Sequence, residues 1–262
     1  MMEELNNDKY LDLYGDVNNS WVDENDPNKK SFFYELKKKN YNNLFDLIKK
    51  NNTSFNFLNH IYSKTIELLN KTTTIPDSYL EIVHELYYSK NKDDLMIKIF
   101  KNFTENKITS PLHFFIDYDI DNVTNLIFNV SSGKFSLPNN EFYSIPEKID
   151  LYKKFIDDIS KMFNLKFDAN KIIEIEKILS EFIYDEDIQN DLKIWNNNTT
   201  FDILDKEYPE LNIKNIFKKY LDKRIKVKNP QYLHVYYNII KKVDADILNQ
   251  FFTFNFIIQT GV

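Results

Sequence analysis

The segment of this chain that comes closest to a catalytic motif is His84-Glu85-Leu86-Tyr87-Tyr88. Two histidines one helical turn apart can bind a single zinc ion, and a glutamate beside the first can polarise the attacking water. Tyr88 stands where the second histidine is needed, so the segment lacks a strong nitrogen donor. His60, His113 and His234 are scattered, and the chain has no cysteine. We therefore expect no catalytic residue, no cofactor-binding residue and no metal ligand in this chain.

The acidic segment Asp117–Asn122 mimics the opening of a calcium-binding loop. Such a loop needs glycine at its sixth position and glutamate at its twelfth, and the sequence has Asn122 and Phe128 at those positions. We therefore interpret the segment as a solvated hairpin turn rather than a cation site.

Two further charged runs have ordinary structural interpretations. The acidic cluster Asp185, Glu186 and Asp187 follows a helical pattern that contains Glu174, Glu176 and Glu181. Two of these acids could in principle form a carboxylate pair. Runs of this kind are typical of solvated faces. The basic stretch Lys223–Lys228 alternates charge with Ile and Val, which predicts a half-buried strand.

The region Pro111–Tyr143 contains the clearest strand signals. His113–Ile116 and Val123–Val130 are rich in Phe, Ile and Val, and the Asp-rich turn separates them. This pattern predicts an antiparallel hairpin over about residues 113–130. After it, Gly133 and the Leu137-Pro138 pair predict a turn that lets Phe142 and Tyr143 pack near the base of the hairpin.

Most of the remaining sequence has helical periodicity. Ser78 and Glu81 form a capping-box pattern for a helix after Pro76. The other predicted helices are residues 31–50, 57–69, 93–103, 147–163 and 169–182, with further helical spacing at Ile213, Ile216, Phe217 and Tyr220 and at Tyr232, Tyr236, Ile239 and Ile240. We predict a mainly α fold, a helical lobe with one small antiparallel hairpin or sheet near residues 113–130.

Four blocks of the chain resemble, in order, segments of the neprilysin and endothelin-converting-enzyme family of zinc metallopeptidases. The block from Pro111 combines a Pro-led strand, an Asp-containing turn, a second strand and a Gly-x-x-Leu-Pro-x-x-x-Tyr-like segment. The first block has Asn19 where the family usually has Gly in Phe-Tyr-x-Tyr-x-Asn-Gly-x-Trp. The blocks are Leu13–Trp21, Pro111–Tyr143, Asn197–Leu204 and Asn229–Leu233.

This resemblance implies an N-terminal helical lobe without the catalytic half. In the family, the His-Glu-x-x-His helix and a Glu-x-x-x-Asp helix downstream of it lie in the second half, and this sequence contains no His-Glu-x-x-His. We therefore expect one N-terminal peptidase domain over residues 1–262, truncated at its C-terminus and inactive alone. Zinc is expected only in a missing catalytic half, and proteolysis of peptides is implied by the family alone.

Two alternatives stay open at this point. The chain could be a non-catalytic module, derived from a peptidase, that binds peptides or a protein partner. It could also be a helical structural protein unrelated to peptidases, in which case the hairpin or the helical lobe should be absent.

The C-terminal segment Asp246–Ile258 predicts a helix that is apolar on nearly every face. We expect such a helix to leave a large apolar area exposed unless another polypeptide covers it. A complementary C-terminal catalytic polypeptide, or self-association through residues 246–258, is the expected partner.

Composition argues against several other classes of protein. A net charge of −6 does not suggest a nucleic-acid-binding surface. The acidic start lacks a signal peptide, no run reaches the roughly 20 apolar residues of a membrane span, and the absence of cysteine fits a reducing interior. We expect a cytoplasmic or otherwise intracellular protein. The bias towards Asn, Lys, Ile, Phe and Tyr, with Arg224 as the one arginine, looks like the imprint of an AT-rich genome.

Overall fold

The computed structural model describes residues 32–49, 56–70, 75–137, 140–184 and 197–260. The first block of the resemblance, Leu13–Trp21, and the acidic cluster Asp185–Asp187 lie outside these residues. The chain divides into two compact units, residues 1–74 and 75–262, which we describe one at a time. The assignment of residues 1–262 to one truncated domain stays a prediction.

The first unit contains two described helices, α1 (Phe32–Lys49) and α2 (Asn56–Asn70). Both confirm the helices predicted from apolar spacing. The rings of Phe45 and Tyr62 meet edge to face with centroids 5.5 Å apart, so the two helices pack through aromatic contacts.

The second unit is mainly helical, and several of its helices begin at a side-chain cap. Asn91, Asp168, Thr200 and Asn229 each accept a hydrogen bond from a backbone N–H in the first turn of the helix that follows. The helices are α3 (Asp77–Tyr87), α4 (Lys92–Glu105), α5 (Pro146–Phe163), α6 (Ala169–Ser180), α7 (Phe201–Glu207), α8 (Ile213–Ile216), α9 (Pro230–Lys242) and α10 (Ala245–Thr260), with short 3₁₀ helices at Asn140–Ser144 and Pro209–Leu211.

Two details of the predicted helices are wrong. Helix α3 begins directly after Pro76, and no side chain caps it, so Ser78 and Glu81 do not form the predicted capping box. Pro76 itself occupies the N-cap position with an extended backbone, and its side chain has no acceptor for the N–H groups of the first turn. Helix α8 ends at Ile216, so the helical spacing that reaches Tyr220 continues only as turns.

The predicted hairpin is confirmed, and it belongs to a larger sheet. Strand β1 (Leu112–Asp119) pairs antiparallel with β2 (Asn122–Ser132). Strand β4 (Arg224–Val227) pairs parallel with β2 and antiparallel with β3 (Asn198–Thr200), which gives the order β1-β2-β4-β3. The strand predicted in Lys223–Lys228 is therefore present.

One face of the sheet packs on the aromatic core. Phe114 of β1 lies 4.9 Å from Phe217, and Phe128 of β2 lies 5.1 Å from Phe201, measured between ring centroids. Phe201 and Phe217 stack on each other at 4.5 Å, so one aromatic cluster joins the sheet to α7 and α8. This cluster fixes the base of the hairpin.

Helix α10 is buried on every face, as predicted, but the chain itself covers it. Phe251, Phe252, Phe254, Phe256 and Ile257 are all almost fully buried. Their aromatic neighbours come from α3, α4, α5 and α9: Tyr79 and Phe103 contact Phe256, Tyr152 contacts Phe254, and Tyr236 contacts Phe252. The expectation that this helix leaves a large apolar area uncovered is wrong. Association through residues 246–258 therefore loses its physical basis.

In the described part of the chain, no helix combines the length and the apolar character that crossing a bilayer requires.

Candidate functional site

The near-match to a zinc motif lies on the solvent side of α3. His84 and Tyr88 are both exposed, and their ring centroids are 6.0 Å apart, so the two side chains do follow the one-turn spacing of a metal-binding pair. Within the described residues, however, no group of three His, Cys, Asp or Glu side chains is arranged to hold a metal ion. The residues described here thus do not fit a catalytic zinc, which needs three protein ligands.

The acidic turn of the hairpin is tied to β4 by ion pairs. Oδ1 of Asp119 lies 2.8 Å from Nζ of Lys226, and Oδ2 of Asp119 lies 2.9 Å from a guanidinium nitrogen of Arg224. Lys226 also donates to Oδ2 of Asp121 at 3.2 Å. Since both oxygens of Asp119 already have cationic partners, this turn is satisfied by protein charges instead of a bound cation.

This arrangement corrects two interpretations of the sequence. The side chain of Asp119 is 7% exposed, so Asp119 does not belong to a solvated turn. The side chain of Lys226 is 2% exposed, so Lys226 does not lie on a solvent-exposed face of the strand. Burial disfavours the charged ammonium of Lys226, but the hydrogen bonds that it donates to Asp119 and Asp121 outweigh this effect and raise the pKa of Lys226. The hydrogen bond from Lys226 lowers the pKa of Asp119.

The second buried charged group is Glu176 on α6, which is fully inaccessible to solvent. Three hydroxyls donate to its carboxylate: Ser136 to Oε1 at 2.9 Å, Tyr143 to Oε2 at 3.0 Å and Tyr152 to Oε2 at 2.7 Å. Burial raises the pKa of Glu176, although hydrogen bonds from Tyr152, Ser136 and Tyr143 act against this shift. The carboxyl therefore anchors the segment after the hairpin to α5 and α6.

The hydrogen bond to Glu176 also fixes the position of Tyr143 in the predicted aromatic pair Phe142–Tyr143. Tyr143 is buried, and its hydroxyl donates to Glu176, whereas Phe142 is half-buried. Phe142 lines an open groove of about 400 Å³ beside α5. The other residues of this groove are Ser136, Leu137, Lys148, Leu151, Tyr152, Phe155 and Ile258.

A second groove lies beside the base of strand β1 and has a volume of about 280 Å³. It is lined mainly by aromatic and aliphatic side chains. The lining residues are Phe100, Phe103, Thr104, Lys107, Ile108, Ser110, Leu112, His113 and Phe114. Farther along the same face of the hairpin, Ile116, Tyr118 and Leu126 are exposed. We call this groove the β1 groove.

The interpretation of the sequence placed Glu176 on a solvated face, which is wrong because its side chain is fully buried, and it missed the β1 groove. A signal for Glu176 was present, because Ile172 and Leu179 lie four residues before it and three residues after it on the buried face of α6. A carboxylate at that spacing must be buried with them. The β1 groove has no local signal, because α4 and β1 supply its walls from separate segments.

The chain matches a model of peptidase family M13 over residues 11–261. A search of curated proteins found no significant match.

Solved structures show the same fold at low sequence identity. The zinc metalloprotease Zmp1 of Mycobacterium tuberculosis in complex with an inhibitor gives a TM-score of 0.59 at 14% identity, covering 68% of this chain and 29% of Zmp1. Zmp1 in its open state gives 0.58 at 14% identity, covering 94% and 42%. PepO from Lactobacillus rhamnosis HN001 gives 0.53 at 14% identity, covering 95% and 42%. The chain thus spans less than half the length of the solved proteins that it matches.

Proposed function

Because this chain belongs to peptidase family M13, we propose that it serves as the N-terminal, non-catalytic lobe of a zinc metallopeptidase and does not hydrolyse peptides alone. The observation that carries this proposal is the match to the family over residues 11–261 in a sequence without His-Glu-x-x-His. The motif supplies both zinc ligands and the general base, so a chain without it needs those groups from other polypeptide.

The residues of α3 support the same conclusion. His84 could donate one nitrogen, but Tyr88 offers a neutral phenol at the position of the second ligand. Phenol is a poor donor for zinc at neutral pH compared with imidazole. Zinc would then be held by a separate catalytic half, and the present chain would shape the cavity around it.

The test starts from the DNA beyond codon 262. If it encodes a His-Glu-x-x-His polypeptide, that polypeptide and this chain are purified separately and mixed with a quenched fluorescent peptide. We expect hydrolysis in the mixture, inhibition by a zinc chelator, and no hydrolysis by this chain alone. Hydrolysis by the chain alone, or equal hydrolysis by the catalytic polypeptide with and without it, would contradict the proposal.

A non-catalytic binding module is the second candidate function. The observation in its favour is the β1 groove, whose apolar wall lies beside an exposed part of the hairpin. If no His-Glu-x-x-His segment is encoded beyond codon 262, this candidate replaces the split enzyme.

We also propose an intracellular location. The support is the chain's lack of cysteine, which leaves it without the disulfides that are common in extracellular proteins. Fractionation of the source cells, with antibody against this chain, tests the location directly.

A further inference from the structure

Strand β1 is an edge strand whose middle residues have little of the usual protection. Within the described residues its one neighbour is β2, and no backbone hydrogen bond joins its other side to another segment. Proteins commonly protect such an edge with lysine, proline or a very short strand. Strand β1 is eight residues long and contains neither lysine nor proline, and its charged carboxylates and its register irregularity lie at the turn end, from Asp117 to Asp119.

The ladder shows which backbone groups face this free edge. Gly133 N donates to Pro111 O at 2.8 Å, in the register that continues the β1–β2 pairing. In an antiparallel ladder the hydrogen-bonded pairs alternate, so His113, Phe115 and Asp117 bond towards β2. The N–H and C=O groups of Phe114 and Ile116 therefore point to the free edge.

The ends of this edge are closed by the chain's own side chains. Ser110 donates its hydroxyl to the carbonyl oxygen of Leu112, and Tyr118 N donates to Oδ1 of Asp117 at 2.8 Å. The open stretch is thus Phe114–Ile116. It can offer a short extended segment two donors and two acceptors.

The β1 groove lies beside this stretch and supplies side-chain contacts. At about 280 Å³ it falls just below the range of about 300–1,000 Å³ typical of small-molecule pockets, and it suits one or two peptide side chains. Phe100, Phe103 and Phe114 form its aromatic wall. The exposed side chains of Ile116 and Tyr118 continue the apolar surface along the strand.

The charge of the groove restricts the ligand. Lys107 and His113 are its titratable lining residues, and the lining contains no carboxylate. A peptide should therefore bind better if it carries an acidic residue two positions from the apolar residue in the groove. In an extended peptide these two side chains lie on the same face.

We propose that β1 binds an extended peptide by strand addition along Phe114–Ile116, with an apolar side chain of the peptide in the β1 groove and an acidic side chain near Lys107. Strand addition is a common mode of peptide recognition, in which backbone bonds give affinity and alternate side chains give specificity. The site gives the binding candidate a definite location and is independent of zinc chemistry.

The probe is a fluorescein-labelled peptide, Thr-Asp-Thr-Phe-Thr-Val-Thr, titrated with the full chain and followed by anisotropy. Ile116→Lys replaces an apolar side chain beside the free edge with a charged one, and Val123→Lys is the matched control on the same hairpin, since the two residues are 56% and 69% exposed. We expect saturable binding that Ile116→Lys weakens by at least about tenfold and Val123→Lys leaves unchanged.

Two further arms test the mode of binding. Ile116→Pro removes an N–H that the β1–β2 ladder does not use, so circular dichroism should stay native while binding is lost. Replacing Asp by Asn or Phe by Ala in the probe should weaken binding.

No saturable binding, or equal losses in Ile116→Lys and Val123→Lys, would overturn the proposal. A dimer in sedimentation that Ile116→Lys abolishes would also overturn it, because the occupant would then be a second copy. Peptide hydrolysis by the reassembled enzyme is a separate readout, so failure here leaves the metallopeptidase proposal intact.

Discussion

Nζ of Lys226 lies 2.8 Å from Oδ1 of Asp119, and this buried ion pair ties the turn of the hairpin to strand β4. Strand β2 lies between the two partner strands, so the pair reaches across β2. Burying either charge without its partner would cost several kcal/mol of stability, roughly 3–5. The pair therefore specifies how β4 docks on the hairpin.

Replacing Lys226 by Met should destabilise the chain, because Asp119 then loses its closest cationic partner while it stays buried. The matched control is Lys206→Met, which removes an exposed ion pair to Asp202 at 2.6 Å. Urea denaturation should show a several-fold larger loss for Lys226→Met. Adding Asp119→Asn to Lys226→Met should recover part of the loss. Equal small effects of both lysine substitutions would contradict this role.

The carboxyl of Glu176 should make stability depend on pH. Burial raises the pKa of Glu176 above the ordinary 4.5, so the folded chain holds this proton more tightly than the unfolded chain. Linkage then lowers the free energy of unfolding as the pH rises from about 4.5 through the folded-state pKa.

Glu176→Gln keeps the shape of the side chain and removes this titration. Urea denaturation at about pH 4 and about pH 8 should show the wild type losing stability relative to Glu176→Gln as the pH rises. Glu174→Gln, on the exposed side of the same helix, is the control for a change in net charge. Identical pH dependence in the wild type and Glu176→Gln would exclude Glu176 as the source.

Gly133 should not tolerate a side chain. A Cβ atom at this position would overlap the carbonyl oxygen of Ser110, which is backbone and cannot move aside freely. Gly133→Ala should therefore cost about 1–3 kcal/mol of stability, as overpacking usually does. Lys134→Ala is the control at the next, exposed residue. Thermal melting that places both variants within error of the wild type would contradict the close approach.

Helix α10 should behave as core. Phe254 is fully buried against Tyr152 and Phe167, so Phe254→Ala should cost about 3–5 kcal/mol. Leu151→Ala, at an exposed position of α5, should cost far less. A chain that ends at Asp244 should not fold, because the core loses its central helix. A native circular dichroism spectrum for that shortened chain would contradict this description of the core.

Local patterns in the sequence predicted the helices and strands better than they predicted which of these elements pack against each other. The hairpin was predictable because its strand residues and its turn are neighbours in the chain. The all-round apolar character of α10 was equally visible, yet its covering residues were not, since Tyr79 and Tyr152 come from distant segments.

The buried charges could not be predicted for the same reason. Lys226 alternates with Ile225 and Val227 in a pattern typical of a solvent-facing lysine. Its partners at Asp119 and Asp121 lie more than a hundred residues earlier, and only the parallel pairing of β2 with β4 brings them near. Glu176 differs, because its position on the apolar face of α6 was a usable local signal.

The most direct test of the non-catalytic role is the zinc content of the dialysed full-length chain, measured by elemental analysis together with hydrolysis of a quenched fluorescent peptide. Tyr88 in place of a second histidine, and the lack of a three-ligand group among the described residues, predict no stoichiometric zinc and no hydrolysis. One tightly held zinc per chain, with hydrolysis that a chelator abolishes, would contradict the assignment of this chain as a lobe without a catalytic centre.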